Sequence, residues 1–340
     1  MRRVAPWVSA SGTCSVSKTS SVAVYTEVPL RDAAALLARL GLGSLQALNP
    51  CSGGIENTNY FADTDVGHYV LTVFERLSTT QLPFYLRLMK HLAQRAIPVP
   101  EPHADAEGAL LHTLQGKPAA VVNRLPGRHN LAPGAAHCAS VGTMLARMHQ
   151  AGLDFEMHQP NLRGLAWWQE TAQSVQPHLT AAQRTLLDTE LAFQVQLGAS
   201  PAYATLPRGP IHADLFRDNV VFEGDRLTGF FDFYFAGVDA LLFDIAVCLN
   251  DWCSDTESGR LNEPLAYSFV SAYDAVRPIT GAELRLLAAM MRGAALRFWL
   301  SRLWDLHLPR NAHVLKAHDP APFERVLRAR IDSPWHYLRN

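Results

Sequence analysis

The chain has 340 residues, of which 48% are hydrophobic and 18% are charged, which suits one large or two modest globular domains. Its formal net charge is -1 and its basic residues form no long run, so the sequence does not indicate binding to nucleic acid or to an anionic membrane surface. No apolar stretch is long enough to cross a bilayer, and the five cysteines form no C-x-x-C pair that would suggest a zinc site or a disulfide framework. A reducing cytoplasm fits this composition.

Residues 1–22 differ from the rest of the chain. They begin with Met1-Arg2-Arg3 and are rich in serine and threonine, but they lack the continuous apolar run of a secretion signal. We interpret them as a disordered leader or as the product of a misassigned start site.

Residues 23–124 have the pattern of a small α+β lobe. A helix is predicted from Pro29 to Leu40, where Gly41 ends it. A run of strands with one inserted helix follows, which predicts a small antiparallel sheet. The strands are expected at 45–51, 59–62 and 68–74, the helix at 82–96, and a final hairpin at 110–114 and 118–123.

Residues 125–335 are predicted to form a larger and mostly helical lobe, which Leu125-Pro126-Gly127 joins to the first as a hinge. Only a hairpin at 219–232 is expected to interrupt the helices. A cleft between two such lobes is the usual place for a small ligand. The helical patterns lie near 134–150, 181–196 and 284–303.

The most informative motif runs from His212 to Asn219 as H-x-D-x-x-x-x-N, with Asp232 after the predicted hairpin. Kinases need this set of groups, because one carboxylate orients the acceptor hydroxyl while an amide and a second carboxylate hold magnesium on the ATP phosphates. Asp214 is the expected base, and Asn219 and Asp232 are the expected Mg²⁺ ligands. The hairpin should bring those two ligands to the same end of a two-stranded ribbon.

A glycine-containing segment, residues 52–59, lies between the first two predicted strands. Gly53 and Gly54 would let backbone N–H groups approach the phosphates without a Cβ in the way, and Asn57 lies in the same segment. The segment is neither a Walker loop nor a G-x-G-x-x-G motif, so it is a nucleotide-loop candidate because of its place in the strand lobe.

The third strand carries Thr72 where kinases usually have a lysine that pairs with a helix glutamate. The helix predicted at 82–96 contains no glutamate, so both halves of the ion pair are missing together. The joint absence of lysine and glutamate is physically reasonable, because one of these charges without the other would be costly to bury in a closed cleft. Thr72 is therefore expected on the nucleotide side of the site.

Residues 25–330 resemble the aminoglycoside-phosphotransferase and choline-kinase superfamily, whose fold resembles that of protein kinases. Within this superfamily the chain is similar to the homoserine kinases, which are unrelated to those of the GHMP type, at residues 54–61, 69–75 and 123–127. The resemblance implies an α+β, two-lobe fold and ATP- and Mg²⁺-dependent transfer of the γ-phosphoryl group to the side-chain hydroxyl of L-homoserine. The product would be O-phospho-L-homoserine, on the route to threonine. The resemblance also implies the roles given above for Asp214, Asn219, Asp232, Gly53 and Gly54, and it gives His212 the role of shaping the catalytic loop.

Homoserine is a zwitterion, so its site should offer an acid for the ammonium group and an arginine for the carboxylate. Residues after the metal aspartate are the candidates for these contacts, although each has an ordinary structural role as the alternative. For Asp244 we expect the structural role, hydrogen bonding to backbone near the catalytic loop. The candidates are Asp251 for the ammonium group, Arg297 and Arg302 for the carboxylate, and Tyr234 and Trp252 as pocket walls.

Other readings stay open at this point. The acceptor could be choline or ethanolamine, an aminoglycoside or methylthioribose, although neither an aromatic cage nor an acid-rich mouth is evident. A nucleotide-binding pseudokinase is a further alternative, which only the missing lysine supports. A protein kinase is disfavoured because no D-F-G, A-P-E or activation segment follows Asp232.

Overall fold

The structure is a computed structural model that describes residues 26–51, 57–255, 257–308 and 318–339. The leader predicted at 1–22 and the glycines Gly53 and Gly54 lie outside the described residues. The domain boundary placed between residues 124 and 125 stays a prediction.

The N-terminal part is built on a five-stranded antiparallel sheet in the order β1-β2-β3-β5-β4. Strand β2 alternates between partly and fully buried residues, because successive side chains point to opposite faces of a sheet. The buried set, which includes Tyr60 and Ala62, lies on the face that α1 covers. The strands are β1 (Leu45–Pro50), β2 (Asn57–Thr64), β3 (His68–Phe74), β4 (His112–Leu114) and β5 (Lys117–Asn123), and helix α1 spans Leu30–Arg39.

Two hydrophobic cores meet at this sheet. The smaller core lies between α1 and one face of the sheet and includes Leu37, Leu71 and Val121. The larger core begins on the opposite face, with Phe74 and Ala120, and is continuous with helix α2 (Leu82–Ala93) and with the helical part of the molecule. The boundary between the two cores therefore runs through the sheet and not through the hinge.

The helical part surrounds α7, a helix that is buried along almost its whole length. The pair α3 and α8 packs closely at Gly142, where an added Cβ would lie 2.2 Å from the carbonyl oxygen of Phe269. Long α9 packs against α7 and α10. The helices are α3 (Ala135–Gly152), α4 (Leu165–Val175), α5 (Ala181–Gly198), α6 (Pro201–Ala204), α7 (Leu241–Trp252), α8 (Glu263–Val276), α9 (Gly281–His307) and α10 (Ala321–Asp332).

Two small antiparallel ribbons interrupt the helices and frame the region of the catalytic motif. The predicted hairpin is confirmed as β7 (Val220–Glu223) paired with β8 (Arg226–Phe230). The second ribbon pairs β6 (Arg208–Ile211) with β9 (Gly237–Ala240), so the prediction of a single interruption was wrong. The motif from His212 to Asn219 connects one ribbon to the other.

Two further details differ from the predictions or refine them. Helix α2 ends at Ala93 and not at residue 96, because Ala96 has a positive φ of 57° and the chain turns there. At the hinge, Gly127 has a φ of 106°, and an added Cβ would lie 2.7 Å from the carbonyl oxygen of Phe222. A residue with a side chain would therefore strain the hinge. In the part of the chain that the structure describes, no helix is long and apolar enough to span a membrane.

Candidate active site

The catalytic loop begins at His212, directly after β6, and its first two peptide groups are held by Asp244 on α7. The backbone N–H groups of His212 and Ala213 each donate to the Asp244 carboxylate at 2.7 Å. Ala213 has a positive φ of 65°, an unfavourable conformation for a residue with a side chain, and this fixed acceptor compensates for it. The structural role expected for Asp244 is confirmed.

Asp244 is itself held by a buried network that the sequence analysis did not identify. His149 on α3 donates from Nε2 to Asp244 at 3.1 Å, and its Nδ1 accepts the hydroxyl proton of Tyr273 on α8 at 2.7 Å. All three side chains are completely buried, and burial raises the pKa of the Tyr273 hydroxyl. A hydrogen-bonded network from three helices therefore fixes the start of the catalytic loop.

His212 links the catalytic loop to the segment that carries Asp232. Its Nε2 donates to the carbonyl oxygen of Phe231 at 2.9 Å, and its ring lies 4.5 Å from that of Phe233. Burial lowers the pKa of His212, so the ring is held neutral. These contacts fit a residue that positions the loop.

The three residues predicted to carry the chemistry are brought together. The Asn219 side-chain amide donates from Nδ2 to the carbonyl oxygen of Asp214 at 2.9 Å, which leaves its Oδ1 as an acceptor for a cation. The carbonyl oxygen of Asn219 accepts the N–H of Phe231 at 3.0 Å, so Asn219 and Asp232 lie at the same end of the β7–β8 ribbon, as the sequence predicted. Asp232 has left-handed backbone angles, with φ 67° and ψ 58°, where the chain turns into a short 3₁₀ segment.

The Asp214 carboxyl group has a strongly perturbed environment. Burial raises its pKa to about 8; the Arg297 guanidinium opposes this shift, and the carboxylates of Asp232 and Asp218 add to it. A pKa near neutrality suits a group that exchanges a proton with an acceptor hydroxyl.

The donor atoms present fit a magnesium ion that is shared with a nucleotide. Asn219 and Asp232 offer a neutral and a charged oxygen, and Mg²⁺ usually takes one or two protein ligands and completes its shell with phosphate oxygens and water. Within the described ranges, no group of three His, Cys, Asp or Glu side chains could hold a metal ion. The chemistry of the pair therefore matches a metal site that is completed by a phosphate ligand.

On the nucleotide side of the site, the structure describes the chain from the start of β2. Asn57 opens β2 next to Phe74 of β3, and the hydroxyl of Thr72 donates to Oδ1 of the register partner Asn59 at 2.7 Å. Both lysines within the described residues are paired with glutamates, Lys90 with Glu101 and Lys117 with Glu75. Thr72 therefore has a neutral polar partner where a charged pair is common in kinases.

Four of the five predicted substrate residues fall into two groups, while the ring of the fifth, Tyr234, packs edge-on against those of Phe74 and Tyr85. Asp251 accepts the backbone N–H of Arg217 at 2.8 Å and its side-chain Nε at 3.2 Å. Trp252 is 1% exposed and its indole N–H donates to the carbonyl oxygen of Leu215 at 2.9 Å. Both side chains support the catalytic loop from beneath, which disfavours them as substrate contacts.

The second group lies on α9 and acts electrostatically on Asp214, the predicted base. Arg297 is 3% exposed, and its guanidinium lies over the rings of Phe235 and Phe298 at 5.2 and 3.9 Å. Arg297 and the partly buried Arg302 both lower the pKa of Asp214, so both act on the same carboxyl group.

Packed aromatic rings hold the predicted catalytic loop next to α9 and α10. The ring of Phe216 lies 4.4 Å from that of Phe298 and 5.8 Å from that of Phe323. Asp218, two residues after Phe216, is exposed, and its charge and that of Arg302 both act on the pKa of His318 and on the pKa of Asp214. The sequence analysis did not select Asp218, although its place inside the H-x-D-x-x-x-x-N motif was a usable signal.

Comparison with known proteins assigns the chain to a family. A family model described as the phosphotransferase enzyme family matches residues 47–279. A homoserine kinase of Polaromonas naphthalenivorans is 63% identical over 314 residues, which cover 92% of this chain and 99% of that protein. This chain belongs to the homoserine kinases of the phosphotransferase enzyme family. It is an enzyme that transfers a phosphoryl group to an alcohol, and the predicted family is confirmed.

Further members of this family agree with the assignment. Homoserine kinases of Janthinobacterium sp. and Ralstonia nicotianae are 54% and 53% identical to the chain and cover 92% and 91% of it. The matches extend over 97% and 96% of those two proteins, so this chain spans nearly the whole length of its family relatives.

Solved structures with low sequence identity share the fold. A spectinomycin phosphotransferase in complex with ADP and spectinomycin has a TM-score of 0.64 at 12% identity, covering 89% of this chain and 95% of that one. An amicoumacin kinase in complex with AMP-PNP and Ca²⁺ has a TM-score of 0.62 at 17% identity, covering 84% and 87% of the two chains. The predicted α+β fold, with a small antiparallel sheet lobe and a larger helical part, is confirmed.

Proposed function

We propose that this kinase transfers the γ-phosphoryl group of ATP to the side-chain hydroxyl of L-homoserine and forms O-phospho-L-homoserine, an intermediate on the route to threonine. The observation that carries the proposal is the position of Asp214 beside Asn219 and Asp232, in a chain that is 63% identical to a homoserine kinase. A cytoplasmic location, where ATP is available, fits this role.

The reaction needs Asp214 at the acceptor hydroxyl. As the new O–P bond forms and the bond between the γ-phosphorus and ADP breaks, the hydroxyl proton passes to the Asp214 carboxylate. Mg²⁺, when held by Asn219, Asp232 and phosphate oxygens, would neutralise the charge of the phosphates and orient them. The protein fixes this geometry through Asp244, which holds the backbone that leads into Asp214.

The acceptor site is best assigned to charged residues close enough to Asp214 to act on its pKa. Asp218 is exposed and Arg302 is partly buried, and the charges of both act on the pKa of Asp214 in opposite directions. We assign the substrate ammonium group to Asp218 and the substrate carboxylate to Arg302, since a zwitterion needs one partner of each sign. Arg297, which is buried beneath, balances the charge at Asp214.

Turnover by a panel of acceptors tests the substrate. ADP release would be measured with Mg-ATP and L-homoserine, choline, methylthioribose, an aminoglycoside or no acceptor. We expect turnover that depends on homoserine. Turnover with another acceptor alone would show that homoserine is not the substrate. Nucleotide binding without turnover on any acceptor would favour a pseudokinase.

Two substitutions test the acceptor site. Asp218→Asn and Arg302→Met should each raise KM for homoserine about 10- to 100-fold, because each removes one charge-assisted contact of about 1.5–3 kcal/mol. KM for ATP should change little. Asp225→Asn and Arg226→Met, at the exposed β7–β8 turn, are matched controls that should leave both constants unchanged. Unchanged KM for homoserine in Asp218→Asn and Arg302→Met would refute the assignment.

A further inference from the structure

The predicted catalytic loop lies along one side of helix α7. Residues seven and eight positions after Asp244 lie on the same side of the helix as Asp244, and both contact the loop. Asp251 accepts the backbone N–H of Arg217 at 2.8 Å, and the indole N–H of Trp252 donates to the carbonyl oxygen of Leu215 at 2.9 Å. The first turn of α7 therefore holds the start of the loop, and its last turn holds the end.

The side chain of Arg217 makes three further contacts at the end of the loop. Its Nε donates to the same carboxylate oxygen of Asp251 at 3.2 Å, and its Nη2 donates to the carbonyl oxygen of Asp251. Its Nη1 donates to the carbonyl oxygen of Leu131 at 3.0 Å. Leu131 belongs to residues 128–134, which follow the hinge and are called the post-hinge segment here. One guanidinium group therefore joins the catalytic loop to α7 and to the post-hinge segment.

The chemistry of arginine matches this position. Its guanidinium is planar and presents five N–H donors in a fixed fork, whereas the ammonium group of lysine is a compact point charge. The carbonyl oxygen of Asp251 lies in the last turn of α7, where helix carbonyls have no helical partner and the helix dipole favours a cation. The side chains of Arg217 and Asp251 are mostly buried, with exposed fractions of 16% and 17%. A side chain with fewer donors would leave some of these acceptors without a partner.

Arg217 holds the part of the loop that is assigned to the acceptor and the metal ion. Arg217, Asp218 and Asn219 form one 3₁₀ turn, and the N–H of Asn219 donates to the carbonyl oxygen of Phe216 at 2.9 Å. Asp218 is exposed in this turn, while Arg217 and Asn219 are partly buried. Because the three residues share one short turn, a displacement of Arg217 displaces the other two.

We propose that Arg217 is a positioning residue of the kinase reaction: it clamps the catalytic loop between α7 and the post-hinge segment, and thereby orients Asp218 for the acceptor ammonium group and Asn219 for the metal ion. In this role Arg217 acts through its two neighbours and contacts no substrate itself. The proposal rests on the function proposed above and deepens it.

A pair of variants separates positioning from stability. Arg217→Met leaves the Asp251 carboxylate buried without its cation, so it should lower the melting temperature by several degrees. Adding Asp251→Asn removes that buried charge and should restore much of the melting temperature, but it cannot restore the clamp. In both proteins we expect KM for homoserine to rise about 10-fold and kcat to fall about 10-fold, because a small displacement at a reacting group is costly. Wild-type kinetic constants in the double variant would overturn the proposal.

Arg217→Lys tests the clamp in a chain that keeps the positive charge beside Asp251. Lysine cannot contact all three acceptors, so KM for homoserine should still rise about 5-fold. Arg292→Lys is the matched control, because Arg292 is 20% exposed and its Nε and Nη2 both donate to Glu190 between α5 and α9. The control should lower the melting temperature to a similar extent and leave both KM values and kcat unchanged.

Calorimetric titration with Mg-AMP-PNP tests the metal side without an acceptor. We expect Arg217→Lys to bind the analogue about 3- to 5-fold more weakly than the wild type, because Asn219 is displaced, and Arg292→Lys to bind it as the wild type does. Unchanged affinity in Arg217→Lys would overturn the role at Asn219, and an unchanged KM for homoserine would overturn the role at Asp218. Wild-type protein that binds the analogue but does not phosphorylate homoserine would instead overturn the function proposed above, and the same titration would still decide the role at Asn219.

Discussion

The Asp244→Asn substitution tests whether one buried carboxylate holds the catalytic loop. Asp244 is completely buried and accepts three hydrogen bonds, from the N–H groups of His212 and Ala213 and from Nε2 of His149. Asparagine has nearly the same shape but only one acceptor oxygen. His212 and Ala213 donate to different carboxylate oxygens of Asp244. In either orientation of the asparagine amide, its NH₂ group therefore faces one of these two backbone N–H groups, which loses its acceptor.

The magnitude follows from these contacts. One buried donor left without a partner costs about 1–3 kcal/mol, and hydrogen bonds that lose their charge assistance each weaken by roughly 0.5–1 kcal/mol. His149 can compensate at its own contact by changing tautomer. We therefore expect a loss of about 3 kcal/mol in the free energy of unfolding. With an entropy of unfolding of about 2.1 cal/mol/K per residue, this corresponds to a fall of about 4 °C in the melting temperature.

Activity should fall further than stability. The same peptide groups lead into Asp214, and a displacement of about 1 Å at a reacting group can cost about 100-fold in rate. Urea unfolding and a melting curve would measure stability, and ADP release at saturating ATP and homoserine would measure kcat. Asp154→Asn is a control at an exposed ion pair with Arg95, where we expect less than about 1 kcal/mol. A melting temperature within about 1 °C of the wild type, together with kcat within about threefold, would refute the role given to Asp244.

Two further outcomes are expected. Because burial raises the pKa of Asp214 to about 8 from its ordinary 3.8, the folded chain holds a proton that the unfolded chain releases, so stability should fall as pH rises from about 4 to 8. Asp214→Asn should remove this pH-dependent contribution and abolish turnover. Urea unfolding of the ligand-free wild type and variant at about pH 5 and 9 would measure the contribution. If the free energy of unfolding changed with pH equally in both proteins, the raised pKa of Asp214 would be contradicted. Gly142→Ala should cost about 2–3 kcal/mol because its Cβ would lie 2.2 Å from a backbone oxygen of α8, whereas Gly152→Ala on the same helix meets only ordinary contacts at 3.5 Å. Equal melting temperatures for the two alanine variants would show that α3 and α8 can move apart.

Local chemistry made much of the site predictable from the sequence. Asp214, Asn219 and Asp232 stand at the spacings from which a base and two metal ligands were predicted, and the turn at Gly224 indicated the hairpin that brings the last two together. The strand His68–Phe74 was predicted with correct ends because its apolar run is bounded by a turn.

Other features depend on long-range packing and could not be predicted in this way. The β6–β9 ribbon was missed because β6 is only four residues long and contains Gly209 and Pro210, which are uncommon inside strands. Asp251 and Trp252 were selected as substrate residues because they follow Asp232, the predicted metal ligand, in the chain. Helix α7 is buried on nearly all sides, so no periodicity showed which of its faces would meet the catalytic loop.

The path of the larger hydrophobic core limits how this protein can be divided. The core includes Phe74 and Ala120 of the sheet and all the buried residues of α2, together with the helices beyond the hinge. A fragment cut near Gly127 would leave this apolar surface without its cover, so the two pieces should not fold as separate modules. A chimera with a relative should therefore fold more readily if the exchanged part consists of α1 and the sheet residues that face it, because these residues form the smaller core.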